Sequence, residues 1–315
     1  MIRIGAITLD TSHPLAFAKI LENDSRAKYV GVYDDSFRSN EEIENFIKRF
    51  GLEKRCDTLD ELADMCDIGF VHSCNWDRHI DYALPFIQKG KPVFIDKPIV
   101  GNIRDCQKIA ELVEEGAVIL GSSSVRYCQE IVHFLDKPIQ ERGEVMCIYG
   151  TSGVDEFNYG IHVVEGICAL ADRKAQSVRF IDRAVRNDMM CDAYSVNFGE
   201  GLHALYHTFT GCWQPFVYTI MTNRSTDQFT VDSGKLYAAL LNEIIHYLEG
   251  KQNRIAPIER LLDSIRIMLA GRLSRMQQGM LVSIDDIPPD DPGFDGFSFY
   301  KKYASDAKPL YTRLT

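Results

Sequence analysis

The stretch Val93-Phe94-Ile95-Asp96-Lys97-Pro98 closes an apolar run with an acid, a lysine and a proline. Such a run suits a strand buried on both faces, and the proline fixes where the chain leaves it. Open α/β sheets bind ligands outside the carboxyl ends of their strands, so Lys97 would point into a binding crevice with Asp96 beside it.

The first apolar run leads into Gly5-Ala6-Ile7-Thr8-Leu9-Asp10-Thr11-Ser12-His13-Pro14. In a doubly wound domain this turn offers backbone N–H groups and a helix dipole to a phosphate. A dinucleotide fingerprint wants glycine at three slots of the turn, which here hold Thr8, Asp10 and His13. Asp10 beside a pyrophosphate would cost Coulomb energy unless it turns away, for instance to cap a helix starting in Thr11-Ser12-His13-Pro14. Taken alone, the segment reads equally well as a capped helix start. About 24 residues past the turn, Asp34 and Asp35 end the second apolar run. Asp34 is the better placed to accept hydrogen bonds from an adenosine ribose, although a carboxylate in an ordinary turn reads the same way. An acid there disfavours the extra phosphate of NADP, which Arg38 would partly offset, so NAD is the expected cofactor and NADP the alternative.

His203 and His207 flank Leu205 and share a face in either a strand or a helix. As metal ligands they would need a third partner such as Glu200, and nothing else has ligand spacing. The expectation is no metal, with both histidines lining the substrate face of a sheet.

These groups need elements to hold them. Through residue 125, β-branched or aromatic runs alternate with amphipathic stretches, which predicts a parallel sheet with helices on its faces. Strands are expected over 2–7, 29–33, 68–71, 93–95 and 118–120. Between Arg104 and Glu115, Cys106, Ile109, Ala110 and Val113 recur at the helical period. After Gly143-Glu144-Val145 this rhythm stops. A helix is expected over 158–170, and strands over 177–185, 193–198, 201–209, 216–221 and 228–231 would form a mostly antiparallel sheet. Two helices close it, one with Leu236, Leu240, Ile244, Ile245 and Leu248 on a face, the other with Leu261, Leu262, Ile265, Met268 and Leu269. The fold class is α/β: a Rossmann-type doubly wound domain over 1–125, an α+β substrate and oligomerisation domain over 126–285, and an extended aromatic tail over 286–315.

The 315 residues carry 35 Lys and Arg against 45 Asp and Glu, a formal charge of -10 that would repel nucleic acid and anionic membranes. Nine cysteines without a C-x-x-C pair read as reduced thiols. The opening Ile2-Arg3-Ile4-Gly5 has no leader character and no apolar run is long enough to span a bilayer, so the cytoplasm is expected.

With the turn at Trp76-Asp77-Arg78-His79 and the helix start Tyr159-Gly160-Ile161-His162, the chain resembles the glucose-fructose oxidoreductase, inositol dehydrogenase and rhizopine-catabolism (Gfo/Idh/MocA) family over nearly its whole length. Asp96-Lys97-Pro98 matches the family's E-K-P with a conservative first position. Of its T-P-x-x-x-H turn, Cys74-Asn75-Trp76-Asp77-Arg78-His79 keeps the histidine. Ser124-Val125-Arg126-Tyr127 resembles N-x-R-[FY], and Gly143-Glu144-Val145 resembles G-E-[VI]. Asn158-Tyr159-Gly160-Ile161-His162-Val163-Val164-Glu165 resembles D-x-G-x-H-x-x-[DE], with Asn158 in place of its aspartate.

The resemblance implies oxidation of a secondary alcohol on a sugar or polyol, with hydride passing to a nicotinamide. Lys97 would touch substrate and nicotinamide ribose and polarise the alcohol oxygen. His162 would take the hydroxyl proton, with Asn158 orienting the ring without supplying charge and Glu165 or Asp155 as substitute acids. Arg126 and Tyr159 would join Lys97 and His162 around the substrate. Gly5, Thr8, Asp10, Thr11, Ser12, His13, Asp34, Cys74, Asn75, His79, Asp96 and Lys97 would hold the cofactor. Two alternatives keep the fold: a non-catalytic nucleotide- or sugar-binding protein, and a NAD-dependent glycoside hydrolase. The resemblance also implies a homodimer or homotetramer paired through the second sheet.

Overall fold

The computed structural model describes residues 1–121 and 123–310. Its first sheet contains β1 (Ile2–Ile7), β2 (Ala27–Tyr33), β3 (Lys54–Arg55), β4 (Ile68–Val71), β5 (Val93–Ile95) and β6 (Ile119–Leu120). The order is β3-β2-β1-β4-β5-β6 with every pair parallel. Helices α1 (His13–Leu21), α2 (Asn40–Phe50), α3 (Leu59–Met65), α4 (His79–Gln88) and α5 (Ile103–Glu114) make the crossovers. With both faces covered, β4 and β5 are buried at every residue, which is why they read as unbroken apolar runs. Strand order reverses between β1 and β4, so a ligand crevice is expected over the carboxyl ends of these two strands.

After α6 (Gln129–Asp136) and α7 (Ile139–Arg142) comes the second sheet. It is built from β7 (Val145–Ser152), β8 (Ser177–Arg186), β9 (Met189–Asn197), β10 (His203–Thr210), β11 (Val217–Thr222), β12 (Thr226–Thr230) and β13 (Val282–Ser283). The order is β12-β11-β7-β10-β9-β8-β13, antiparallel except for β7 beside β10. The two-residue strands β3 and β13 are too short to leave a periodic signal.

Helices α8 (Gly160–Ala171) and α10 (Ile258–Met276) cover one face of this sheet. Gly166 lets Tyr218 of β11 come against α8, since a Cβ there would lie 2.1 Å from the Tyr218 hydroxyl oxygen. That hydroxyl donates to the carbonyls of His162 and Val163 at 3.3 and 3.2 Å, fixing the helix that carries His162.

Two expectations fail here. Helix α9 (Leu236–Leu248) does not close the second sheet: Leu240, Leu241, Ile244 and Ile245 pack with Leu15 and Phe17 of α1, because the first half offers the apolar groove. The tail is not extended, for α11 (Gly296–Asp306) forms behind Asp295, whose carboxylate accepts the Ser298 N–H at 2.8 Å. Residues 311–315 of the expected tail lie outside the described residues.

Candidate active site

The turn after β1 has a dinucleotide loop's left-handed kink without its glycine: Thr8 sits at φ 61°. Gly5 is not part of that turn. It lies within β1, where a Cβ would come 2.8 Å from Cys66 Sγ, so its role is to seat β1 against the α3 region. Asp10 does turn away from the helix start, yet caps nothing there. Its Oδ2 accepts the Ser73 hydroxyl at 3.0 Å and the Cys74 N–H at 2.9 Å, stitching β1 to the end of β4. The helix start has no side-chain cap: Ser12 makes no such bond, and Thr11 Oγ1 accepts the His13 N–H at 3.2 Å instead. Asp34 Oδ2 accepts the Leu9 N–H at 2.7 Å and Oδ1 the Ser36 N–H at 2.9 Å. Burial pushes its carboxyl up to about 6 against those two donors.

At the ends of β4 and β5 a buried polar chain appears. Asp96 Oδ2 meets His13 Nδ1 at 2.6 Å and His72 Nδ1 at 3.3 Å, and His72 Nε2 lies 2.8 Å from the Tyr29 hydroxyl. Despite burial, the two histidines hold the Asp96 carboxyl well below the usual range. His79 has no place in the crevice. It is fully buried, with its ring nitrogens 3.0 and 2.8 Å from the carbonyls of Ile99 and Ser73, so it ties two turns together.

Lys97 leaves the end of β5 through a cis bond to Pro98. Its Nζ donates to the Asn158 carbonyl at 3.0 Å and to Asn158 Oδ1 at 2.9 Å, with the Tyr159 ring centroid 5.4 Å away. Burial lowers its pKa while Asp96 and Asp155 pull it up. Asn158 therefore holds the lysine rather than the histidine. The partner of His162 is Ser123, whose Oγ lies 2.6 Å from Nδ1. Burial, then the positive charges of Lys97 and His13, keep His162 well below the ordinary histidine range. Glu165 is not its acid either: it binds Arg126 Nε at 2.6 Å, one turn along α8. Arg126 is thereby sequestered from the Lys97 and His162 pair. Asp155 accepts the N–H groups of Phe157 and Tyr159 and shapes the turn before α8.

The sequence reading missed Ser123, His72 and Tyr29. His72 follows β4 directly and Ser123 comes three residues after β6, so the carboxyl-end rule was the signal available for them. A cavity of about 930 Å³ lies elsewhere, lined by Arg126, Arg142, Arg254 and Arg260 and lacking both Lys97 and His162. His203 and His207 alternate with the buried Ala204, Tyr206 and Thr208, so they lie on the opposite face of the sheet from α8. His207 packs on Tyr149 there, and the expectation of a substrate-facing pair fails by register. Among the described residues no three His, Cys, Asp or Glu side chains are grouped to hold a metal ion, and no helix is long and apolar enough to cross a membrane.

Residues 4–124 match the family described as oxidoreductase family, NAD-binding Rossmann fold. Inositol 2-dehydrogenase of Gluconacetobacter diazotrophicus is 40% identical over 57 residues, 18% of this chain and 17% of that protein's length. The structure of scyllo-inositol dehydrogenase from Lactobacillus casei with bound NAD(H) and scyllo-inositol superposes with a TM-score of 0.75 at 14% identity, covering 91% of this chain and all of that one. UDP-N-acetylglucosamine 3-dehydrogenase from Acidithiobacillus ferrooxidans gives 0.72 at 12% identity, covering 87% and 97%. The amino-terminal residues are thus similar to that oxidoreductase family, and the chain as a whole shares the two-domain fold of these solved structures.

The loop fits a dinucleotide in two respects. The left-handed turn at Thr8 leads straight into the N-terminus of α1, and Thr8 Oγ1 and Asp10 Oδ1 are buried there without a hydrogen-bond partner. Such atoms carry a desolvation cost that a polar ligand or water can relieve.

Proposed function

We propose that this protein is a NAD-dependent oxidoreductase acting on a secondary alcohol of a polyol or sugar-like substrate, with NADP as the alternative cofactor. The single observation that carries it is that Lys97, just after β5, and His162 of α8, held by Ser123 beyond β6, lie near enough for the lysine charge to act on the imidazole, beside a Rossmann switch point. Backbone groups of Thr11 and Ser12 would hold the pyrophosphate, Asp34 the adenosine ribose, and Cys74, Asn75 and Lys97 the nicotinamide half. When bound, the nicotinamide supplies the hydride acceptor.

The rest is done by this chain's own residues. Lys97 has three N–H donors and spends two on Asn158, which leaves one for the substrate oxygen. Ser123 Oγ accepts the Val125 N–H at 3.1 Å and can accept His162 Nδ1–H as well, so that Nε2 is the unprotonated atom. A neutral imidazole with its lone pair on Nε2 is the form that takes a hydroxyl proton, and its lowered pKa keeps that form populated in mildly acidic solution. Polarisation by an adjacent ammonium lowers the cost of that transfer.

The test is a titration of nucleotide-free protein with NADH and NADPH, followed by nicotinamide fluorescence, and then a screen of inositols and sugars for NAD reduction. Binding with reduction by at least one polyol supports the proposal. Binding without reduction by any would favour the second reading, a non-catalytic binding protein, which the Asp10 carboxylate in the phosphate turn supports.

The open face of the second sheet presents half-buried Tyr149, Leu205 and Val217 in one band. A homodimer or homotetramer paired through that face would cover it, and light scattering on the purified protein reads the mass directly. Nine free cysteines support a reducing compartment such as the cytoplasm.

A further inference from the structure

We infer that the segment from Phe294 to Leu310 is a strap that stands over the adenosine end of the crevice and must swing away before a dinucleotide can enter. The inference rests on the cofactor reading above. The strap touches the segments that follow three strands of the first sheet, on both sides of β1. Beyond β5, the Phe294 N–H donates to the Gly101 carbonyl at 2.9 Å. Beyond β4, Trp76 Nε1 donates to the Phe294 carbonyl at 2.7 Å, the Phe297 N–H to Asp77 at 2.9 Å, and Phe299 lies 4.9 Å from the Trp76 ring. Beyond β2, Tyr300 and Tyr303 pack on Phe37, Arg38 donates to the Lys308 carbonyl at 3.0 Å, and the Leu310 N–H donates to Glu42 at 2.8 Å.

A dinucleotide in a doubly wound domain lies across these same turns. Underneath, Thr8, Leu9 and Asp10 are each 0% exposed, so the phosphate turn is closed to solvent. Arg38 seals it further, donating to the carbonyls of Leu9 at 3.0 Å and Asp10 at 2.6 Å.

The closed arrangement also carries a cost. It leaves Thr8 Oγ1 and Asp10 Oδ1 buried without partners, a cost that opening would remove by hydration. Within α11 only Gly296 is buried, and Phe297 is 51% exposed. The apparent affinity for a dinucleotide is then the intrinsic affinity scaled by the fraction of molecules with the strap open. Lids of this kind gate access to many active sites.

Three proteins decide the matter: the full chain, a chain ended after Gly293, and the full chain carrying Phe299→Ala with Tyr300→Ala. Each is titrated with NADH by nicotinamide fluorescence, and tryptophan emission is recorded throughout. Trp76 is buried under the strap, whereas the second tryptophan, Trp213, is 71% exposed. The expected result is at least tenfold tighter NADH binding in both variants, a red-shifted tryptophan emission in both, and the same red shift when NADH saturates the full chain. Equal or weaker binding in the variants overturns the strap and leaves the cofactor reading standing. Absence of binding in all three overturns both. If circular dichroism shows the shortened chain unfolded, the double substitution decides alone.

Discussion

His13 Nδ1 lies 2.6 Å from Asp96 Oδ2, so the residue in the third glycine slot of the phosphate turn is tied to the acid that precedes the site lysine. Asp96 is fully buried, and its carboxylate is satisfied by His13, by His72 and by the Lys97 N–H at 2.8 Å. His72 is itself buried in full, and burial favours its neutral form. His13 makes the shorter of the two histidine contacts and keeps some solvent contact. The turn after β1 and the end of β5 are thus locked together electrostatically.

Removing that partner leaves a buried carboxylate undercompensated. His13→Ala is expected to lower stability by about 2 kcal/mol at pH 7, below the range for fully buried pairs because the imidazole is partly solvated. The Asp96 carboxyl is depressed in the folded state, so its contribution is present above the ordinary carboxylate pKa and lost as pH falls through its own lower value. The deficit of the variant should therefore be largest at neutral pH and shrink in acid. Urea unfolding at pH 7 and pH 3.5 measures it, and an unchanged midpoint at pH 7 would show that the contact carries no stability.

Much of this site was legible in the sequence, for reasons that can be named. The first sheet announced itself because β1, β2, β4 and β5 are buried on both faces, and the carboxyl-end rule then brought Lys97 and the 8–13 turn together. What stayed hidden was partner choice. Asn158 was expected on His162 and holds Lys97, because the two sit on different elements whose separation is set by how the second domain docks. Ser123 carries no pattern until β6 ends beside the start of α8. Helix α11 did leave a trace, with Asp295 before it and Phe299 and Tyr303 four apart, but the Pro288-Pro289-Asp290-Asp291-Pro292-Gly293 run suggested a chain without regular structure.

Lys97 and Ser123 should separate by kinetics once a substrate is found. In the proposed role Lys97→Ala removes the one N–H not given to Asn158, and turnover is expected to fall about 1000-fold with little change in the unfolding midpoint. Ser123→Ala only loosens the His162 ring, so kcat should drop about tenfold while NADH affinity holds. With His162 held below the ordinary range, the acid limb of kcat/KM in the unmodified enzyme should lie below pH 6.5, the ordinary histidine value. An acid limb at or above that value would remove His162 from the role of base.

On the proposed cofactor reading, Asp10 sets a carboxylate in the turn that would hold a pyrophosphate, where it would repel it. Asp10→Asn keeps an acceptor for the Cys74 N–H and removes the charge. NADH binding should tighten about tenfold, equivalent to about 1.4 kcal/mol, in a fluorescence titration. Weaker binding would mean that the carboxylate organises the loop more than it opposes the ligand.

Asp34 tests the electrostatics of the same turn through stability rather than binding. Its carboxyl is raised to about 6 by burial, so the folded state prefers the protonated form. The stability it contributes is fully present below its unfolded value near 3.9 and is lost as pH rises through about 6. At full ionisation the penalty approaches about 3 kcal/mol at 1.36 kcal/mol per pKa unit. Asp34→Asn does not titrate and keeps one acceptor for the Leu9 and Ser36 N–H groups. Subtracting the two proteins cancels every other group, so the unmodified protein should lose stability relative to the variant between pH 4 and pH 7, in urea unfolding at one-unit steps. A flat difference would mean that the Leu9 and Ser36 donors fully compensate the charge, and that the turn after β1 is built to hold an ionised Asp34 at neutral pH.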